Sequence, residues 1–403
     1  MGTEYPKMPI GKFAKVKGGK RLPKGRVVQD EKTAHPYIRV TDFHGGVLDK
    51  DGIKYIDEDT HQKVKRYIIT SDDVFISIAG TIGLIGIVPN DFSGANLTEN
   101  AAKICEISPN IDKRYLAMYL QSHVGQAQIS GRVVGTSQPK LALFRIEEIE
   151  VPVPPLPTQR RIADILSAYD DLIENNTRRI RILEQMAQAI YQEWFGKVDK
   201  ESLPEGWSIS KFIDVCNELI DGDWIETKDQ GGEDYRLLQV SNIGLGDFVE
   251  TGNFRYVTQE TFERLNCNEI IPGDILISRM PKPIGRGWLV TKMPWRMITA
   301  VDVAIARPNP DLLNNYYCIH WLNSSETLAK SEQHASGTTR PRITRRDLAG
   351  FEMVIPPIEL QNKFGKIAKQ LYELQTNLRR KNDNLRQTRD LLLPRLVSGE
   401  VEV

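Results

Sequence analysis

Cysteine is scarce in this chain of 403 residues. Cys105, Cys216, Cys267 and Cys318 stand far apart, with no CxxC pair and no histidine in ligand spacing, which speaks against a zinc module and fits buried or incidental thiols in a reducing compartment. Net charge is missing too: 53 basic residues balance 53 acidic ones, so the total gives no support to a nucleic-acid partner unless charge is segregated locally. No apolar run approaches the roughly 20 residues that span a bilayer. The opening MGTEYPKMPIGKFAKVKGGK has no apolar signal core, so the expectation is a cytoplasmic protein with no membrane partner. Catalytic signatures are lacking as well. There is no Asp/Asn-Pro-Pro-aromatic methylase motif, HExxH, Walker A or GxSxG, and the Pro pairs sit in VPPL and IPPI. The six histidines, His35, His44, His61, His123, His320 and His334, form no cluster. No catalytic residue, metal ligand or cofactor is expected in this chain.

What is present is a duplication. GTSQPK at Gly135 to Lys140 recurs as GTTRPR at Gly337 to Arg342, Pro154-Pro155 as Pro356-Pro357, and Gln159 as Gln361. IGKFAKV at Ile10 answers ISKFIDV at Ile209, VTDF at Val40 answers VSNI at Val240, and DVFIS at Asp73 answers DILIS at Asp274. A period near 200 residues is far too long for a solenoid and marks two globular units. Each ends in a long heptad stripe. The first runs Ile162, Leu166, Tyr169, Ile173, Asn176, Ile180, Leu183, Ala187, Ile190 and Trp194. The second runs Leu360, Phe364, Ile367, Leu371, Leu374, Leu378, Lys381, Leu385, Thr388 and Leu392. The pattern predicts a helix over 156–198, entered through VPVPPLPTQ with Thr158 as its cap, and another over 358–403. Ile162, Tyr169, Leu183, Ile190, Phe364, Leu371, Leu378, Leu385 and Leu392 are its packing residues. Ile165, Leu172 and Met186 widen the apolar surface of the first helix beyond one seam, which suits an additional protein partner. The globular units, 1–155 and 199–357, read as mixed α/β (α+β), with a helix after most of the strands; YIRVTDF, IKYI and DVFISIAGTIGLIGIV are strand-like, and IDKRYLAMYLQSHVGQAQ is an amphipathic helix.

Charge is segregated after all. Lys7, Lys12, Lys15, Lys17, Lys20, Arg21, Lys24 and Arg26 run without an acid through a loop marked by Gly18, Gly19, Pro23 and Gly25. The run is either a phosphate-contacting loop or a solvated basic surface. The matching stretch of the second unit is acidic, and its basic surface reappears as Arg279, Lys282, Arg286, Lys292 and Arg296, then Arg340, Arg342, Arg345 and Arg346. The recurring Gly-Thr loop offers hydroxyls, an amide and cations close together. It is either a surface turn before a strand or a DNA-contacting loop; in the latter case Gln138 suits adenine and Arg340 guanine, so the two units would read different sequences.

The order of these parts, the PLPTQRRIADIL and IPPIELQNKFGKIA helix openings, the LPEGW start of the second unit, and IDGDWIETKDQ with VSNIGLGDF and PGDILISR resemble the DNA specificity subunits of type I restriction-modification systems over essentially the whole chain. The resemblance implies a non-catalytic subunit. Each globular unit would be a target recognition domain reading one half of an asymmetric, interrupted duplex site, and the two helices an antiparallel coiled-coil spacer relating them by a pseudo-two-fold axis. A helix of about 35 residues is roughly 52 Å long, enough to hold two readers over half-sites near 34 Å apart. Implied partners are double-stranded DNA, two adenine methyltransferase subunits carrying S-adenosylmethionine, and motor-nuclease subunits using ATP and Mg. The candidate DNA-binding residues are Lys20, Arg21, Lys24, Thr136, Ser137, Gln138 and Lys140 in the first unit and Arg279, Lys282, Arg286, Thr338, Thr339, Arg340 and Arg342 in the second.

Overall fold

The computed structural model describes residues 5–44, 46–135, 139–401 and 403. The chain divides into two compact units, Met1–Thr177 with Arg380–Val403, and Arg178–Arg379. The boundaries therefore fall within the two long helices, Leu156–Phe195 and Ile358–Val397, rather than at their starts.

In the first unit Ile10, Ile76, Ile104, Tyr115, Leu116 and Ile146 form a core that Ile162, Ala163 and Leu166 of the central helix and Leu393, Leu396 and Val397 of the C-terminal helix complete. Its main sheet is antiparallel, in the order Lys15–Gly18, Ala101–Cys105, Val74–Ser77, Ile85–Ile87. A second four-stranded sheet contains the single parallel pairing of this unit among the described residues, Ala95–Leu97 beside His35–Ile38. The second unit repeats the plan with Cys216–Asp221, Val303–Pro308, Ile275–Ser278 and Gly287–Leu289. All four residues of Ile275–Ser278 are buried, which is why that strand reads as a continuous apolar run rather than an alternation. Strands thus mostly follow strands. The mixed α+β class is as expected, but helices follow only some of the strands, as Glu58–Val64 follows Lys54–Ile56 and Lys113–Gln121 follows Ala101–Cys105.

The recurrence of Gln159 and Gln361 has a physical cause. Gln159, fully buried, accepts the Asp112 N–H at 2.9 Å and donates to the carbonyls of Asn110 (3.0 Å) and Pro154 (2.8 Å). Gln361 accepts the Asn314 N–H at 2.9 Å and donates to Leu312 (3.1 Å) and Pro356 (2.8 Å). Each amide ties the first turn of a long helix to the loop before a helix of its own unit. Thr158 is not a cap, since the helix already begins at Leu156; the glutamine holds that end instead.

Within each unit the long helices run antiparallel. In the first, Asp170 pairs with Arg389 and Asn176 donates to Asn382 at 2.9 Å; in the second, Glu184 accepts from Arg379 at 2.7 Å and Tyr191 meets Phe364 at 6.0 Å between ring centroids. The first stripe is as expected, every position buried or half-buried, including Ile162, Tyr169, Leu183 and Ile190. On the second helix Phe364, Leu371, Leu378, Leu385 and Leu392 lie inward, but the alternate seam positions are Ala368, Gln375 and Asn382 rather than Ile367, Leu374 and Lys381. Ile367 and Leu374 are 37% and 48% exposed.

Asn382 also donates to Thr177 Oγ1 (3.3 Å) and the Ile173 carbonyl (3.4 Å), so the asparagine pair fixes the register of the first unit's helices. Asn382→Leu alone should destabilise this unit by about 2 kcal/mol by orphaning the Asn176 amide, and adding Asn176→Leu should recover most of the loss. Urea melts of the single and double variants provide the check; additive losses would contradict the pairing.

In the second unit His320 lies among Tyr191, Phe364 and Tyr372, with Nδ1 3.3 Å from Gln188 Oε1 and Nε2 without a hydrogen-bond partner. Burial pushes its pKa down to about 4. Because the folded value lies below the unfolded one, the unfolded chain binds the proton first as pH falls below about 6.5. Stability should therefore drop by roughly 2 kcal/mol between pH 6.5 and 5 from this group. His320→Phe should lose that part of the slope.

Candidate nucleic-acid interface

Some of the sequence-predicted residues lie near one edge of the main sheet of their unit, where backbone hydrogen bonds stitch the strand ends together. In the first unit the Gly19 N–H donates to Ala101 O (2.9 Å), Lys20 N–H to Leu97 O (2.9 Å), and the Ile78 and Ala79 N–H groups to Asn100 O (2.8 and 3.2 Å). Leu141 N–H donates to Ile78 O (3.0 Å), and Lys140 exchanges backbone hydrogen bonds with Val134 and bridges to Ala79. Lys20, Arg21 and Lys140 are exposed along this edge, and Lys24 is exposed in the loop that follows Arg21. Thr136, Ser137 and Gln138 lie outside the described residues.

The acid-free basic run finds its counter-charges elsewhere in the chain. Lys15 and Lys17 both pair with Glu106, and together hold its carboxyl down at about 2; Arg21 donates to Glu99 at 2.8 Å, and Arg26 pairs with Asp57 and Asp59. Lys20 lies 5.7 Å above the Tyr67 ring. Two segments of the run are strands, Lys7–Pro9 and Lys15–Gly18, so the loop expected over the whole stretch is confined to its later part.

In the second unit Ser336 and Arg342 exchange backbone hydrogen bonds of 3.0 and 2.9 Å and close the GTTRP loop. Thr338, Thr339 and Arg340 project from it, exposed. Arg342 pairs with Asp302 at 2.9 Å, and Lys282 with Glu332 at 2.6 Å while staying largely exposed. Arg279 N–H donates to Asp302 O (3.0 Å) and Arg279 O accepts from Ile343 N–H (3.2 Å), which brings this loop against the end of Ile275–Ser278.

Two expected contacts do not fit their positions. Arg279 is 4% exposed; its guanidinium pairs with Asp221 at 3.1 Å and donates to Val301 O at 2.6 Å. Arg286 is 8% exposed and donates to four carbonyls, Ile243 (2.6 Å), Val240 (2.9 Å), Pro281 (2.6 Å) and Pro283 (3.0 Å). Burial lowers the pKa of both guanidiniums. Arg286 spends its guanidinium on carbonyls of the fold and Arg279 is buried with its Nε unpartnered, so neither presents a free fork to a groove. Arg345, about half exposed, is bound to Asp221 at 3.1 Å and Leu219 O at 2.9 Å. Trp224, 70% exposed beside this edge, is a candidate that sequence reasoning missed. The signal for it is its place in the acidic counterpart of the basic run.

In the second unit the edge offers hydroxyls and cations on a short loop beside strand ends, a set able to meet phosphates and base edges of a duplex. Among the described residues no group of three or more His, Cys, Asp and Glu side chains is placed to hold a metal ion. Burial pushes the thiols of Cys216 and Cys267 up to about 12 and about 11. No described helix is long and apolar enough to cross a membrane.

Comparison with known proteins finds the same twofold repetition along the chain. The family model for the type I restriction modification DNA specificity domain matches twice, over residues 3–185 and 204–387. The type I restriction enzyme MjaIX specificity subunit of Methanocaldococcus jannaschii is 23% identical, over 100% of this chain and 97% of its own. The EcoKI specificity subunit of Escherichia coli is 20% identical over 87% of this chain and 78% of its own. Among solved structures, the S subunit of a type I restriction-modification system from M. genitalium has the same fold, with a TM-score of 0.58 and 17% identity over 97% of this chain and 96% of that one.

Proposed function

Because the chain belongs to the type I restriction modification DNA specificity domain family, with a copy in each half, we propose that it is the sequence reader of a restriction-modification complex. Each unit reads one half of an asymmetric, interrupted duplex site. The observation that supports this reading is the exposed Thr338, Thr339 and Arg340 on the loop closed by Ser336 and Arg342 in the second unit, whose Gly-Thr string recurs in the sequence of the first with altered polar residues. Arg340, Thr338 and Thr339 are the base-reading candidates of the second unit; Lys282, Arg342, Lys20, Lys24 and Lys140 serve phosphates, and Arg21 reads a base or a phosphate in the first. Thr136, Ser137 and Gln138 complete the first set by analogy with the second loop.

The chain itself carries no catalysis in this proposal. Two adenine methyltransferase subunits supply S-adenosylmethionine chemistry, and motor-nuclease subunits supply the ATP- and Mg-dependent steps, in the cytoplasm. The apolar residues left exposed on the long helices support a docking role: Leu172 in the first unit, and Ile182, Met186 and Leu374 in the second. Replacing Met186 and Leu374 by Asp should cost at least tenfold in methyltransferase affinity through two disrupted apolar contacts, with an unchanged melting temperature. Affinity-purified complexes quantify this; undiminished copurification would contradict it.

The recognition reading is tested by selecting duplexes from a random library with the assembled complex. Enrichment of one interrupted, asymmetric motif is expected. Retention of all duplexes alike would contradict it.

A further inference from the structure

The two units place different residues at one equivalent position of the candidate interface. In the first, Gly19 and Lys20 donate their N–H groups to Ala101 O and Leu97 O (2.9 Å each); in the second, Gly222 and Asp223 donate to Val303 O and Thr299 O (2.8 Å each). Both glycines are required by the same close approach, since a Cβ would lie 2.0 Å from Thr98 O at Gly19 and 2.3 Å from Ala300 O at Gly222. Beyond the exposed residue the chain is anchored again, by Leu22 against Tyr37 and Ile56, and by Ile225 against Tyr235 and Val257. The residue between the two anchors must point outward. It is Arg21, with a side chain 81% exposed, in one unit and Trp224, 70% exposed, in the other.

An outward tryptophan forgoes the burial that its large apolar surface would otherwise contribute, and the other five tryptophans of the chain are buried or half-buried. The setting of Trp224 does not suit a phosphate. Beside it Glu226 pairs with Lys228 at 2.8 Å, and the Asp223 carboxylate accepts the Asn268 N–H at 3.1 Å, so acids flank the ring. What it offers is the apolar face of the ring. The geometry points to Trp224 as a specificity-determining residue of the second unit, its indole packing on a base in the groove where Arg21 of the first unit presents a hydrogen-bonding fork. This assignment rests on the DNA-reading role proposed above.

The test compares wild type, Trp224→Ala, Trp224→Phe and Trp224→Arg, each assembled with the methyltransferase, for duplex affinity, its salt dependence and the selected motif. Trp224→Ala should weaken the cognate duplex roughly tenfold or more, as loss of a base–aromatic contact does. It should relax one or more positions in a single half-site and leave the salt slope unchanged, because no phosphate contact is lost. Phe should retain most of the affinity, and Arg should change the preferred base. Wild-type affinity and motif in both the Ala and Arg variants, with a selective wild type, would overturn this inference alone. A wild type that binds all duplexes alike would overturn the DNA-reading role itself.

Discussion

Arg286→Ala should unfold or severely destabilise the second unit while telling nothing about DNA. Four carbonyls, of Val240, Ile243, Pro281 and Pro283, converge on this one guanidinium. Deleting it leaves them in a cavity with too few donors. At 8% exposure water cannot replace the guanidinium without rearrangement, so the expected loss is about 4 kcal/mol, a large share of a domain's stability. Arg286→Lys should rescue little, because an ammonium cannot reproduce the planar fork that reaches two loops at once. Denaturant melts give the answer: a midpoint near wild type would mean that the carbonyls find other partners. The same basic letter in the sequence thus has opposite meanings at Arg286 and Arg340.

Arg340→Ala should leave stability near wild type and relax one half-site. Its loop is closed by Ser336 and Arg342 and braced by the Arg342–Asp302 pair, so the tip residue is held out without being part of the core. An arginine fork on guanine contributes about 1–3 kcal/mol of discrimination, so the preferred base at one position should lose roughly ten- to hundredfold in selectivity. The half-site of the first unit should be untouched. Uniform weakening on every sequence, with a shallower salt dependence, would instead make Arg340 a backbone contact.

The duplication, both long helices and the recurring loop were legible in the sequence because each leaves a local trace: a repeated string, a heptad rhythm, a Gly-Thr pair before proline. Gln159 and Gln361 were visible as a recurrence, and the structure supplies the cause in their clamps on Asn110 and Leu312. What escaped depends on residues distant in sequence. The seam of the C-terminal helix buries Ala368 and Gln375 and leaves Ile367 and Leu374 outside, so following the most apolar letters selects the wrong flank. The counter-charges of the basic run come from Glu99, Glu106, Asp57 and Asp59. Arg279 and Arg286 look like surface cations until the strands around them are known. Trp224 stood in an acidic segment that offered no phosphate chemistry, and only its equivalence to Arg21 gives it a role.

A modified-base map of DNA from cells expressing this chain with its methyltransferase, against cells lacking the chain, tests the central claim most directly. The account predicts methyladenine at one interrupted, asymmetric motif that disappears with the chain, and a motif altered in one half only when Arg340 is replaced. An identical methylation pattern with and without the chain, in the presence of a verified active methyltransferase, would contradict it.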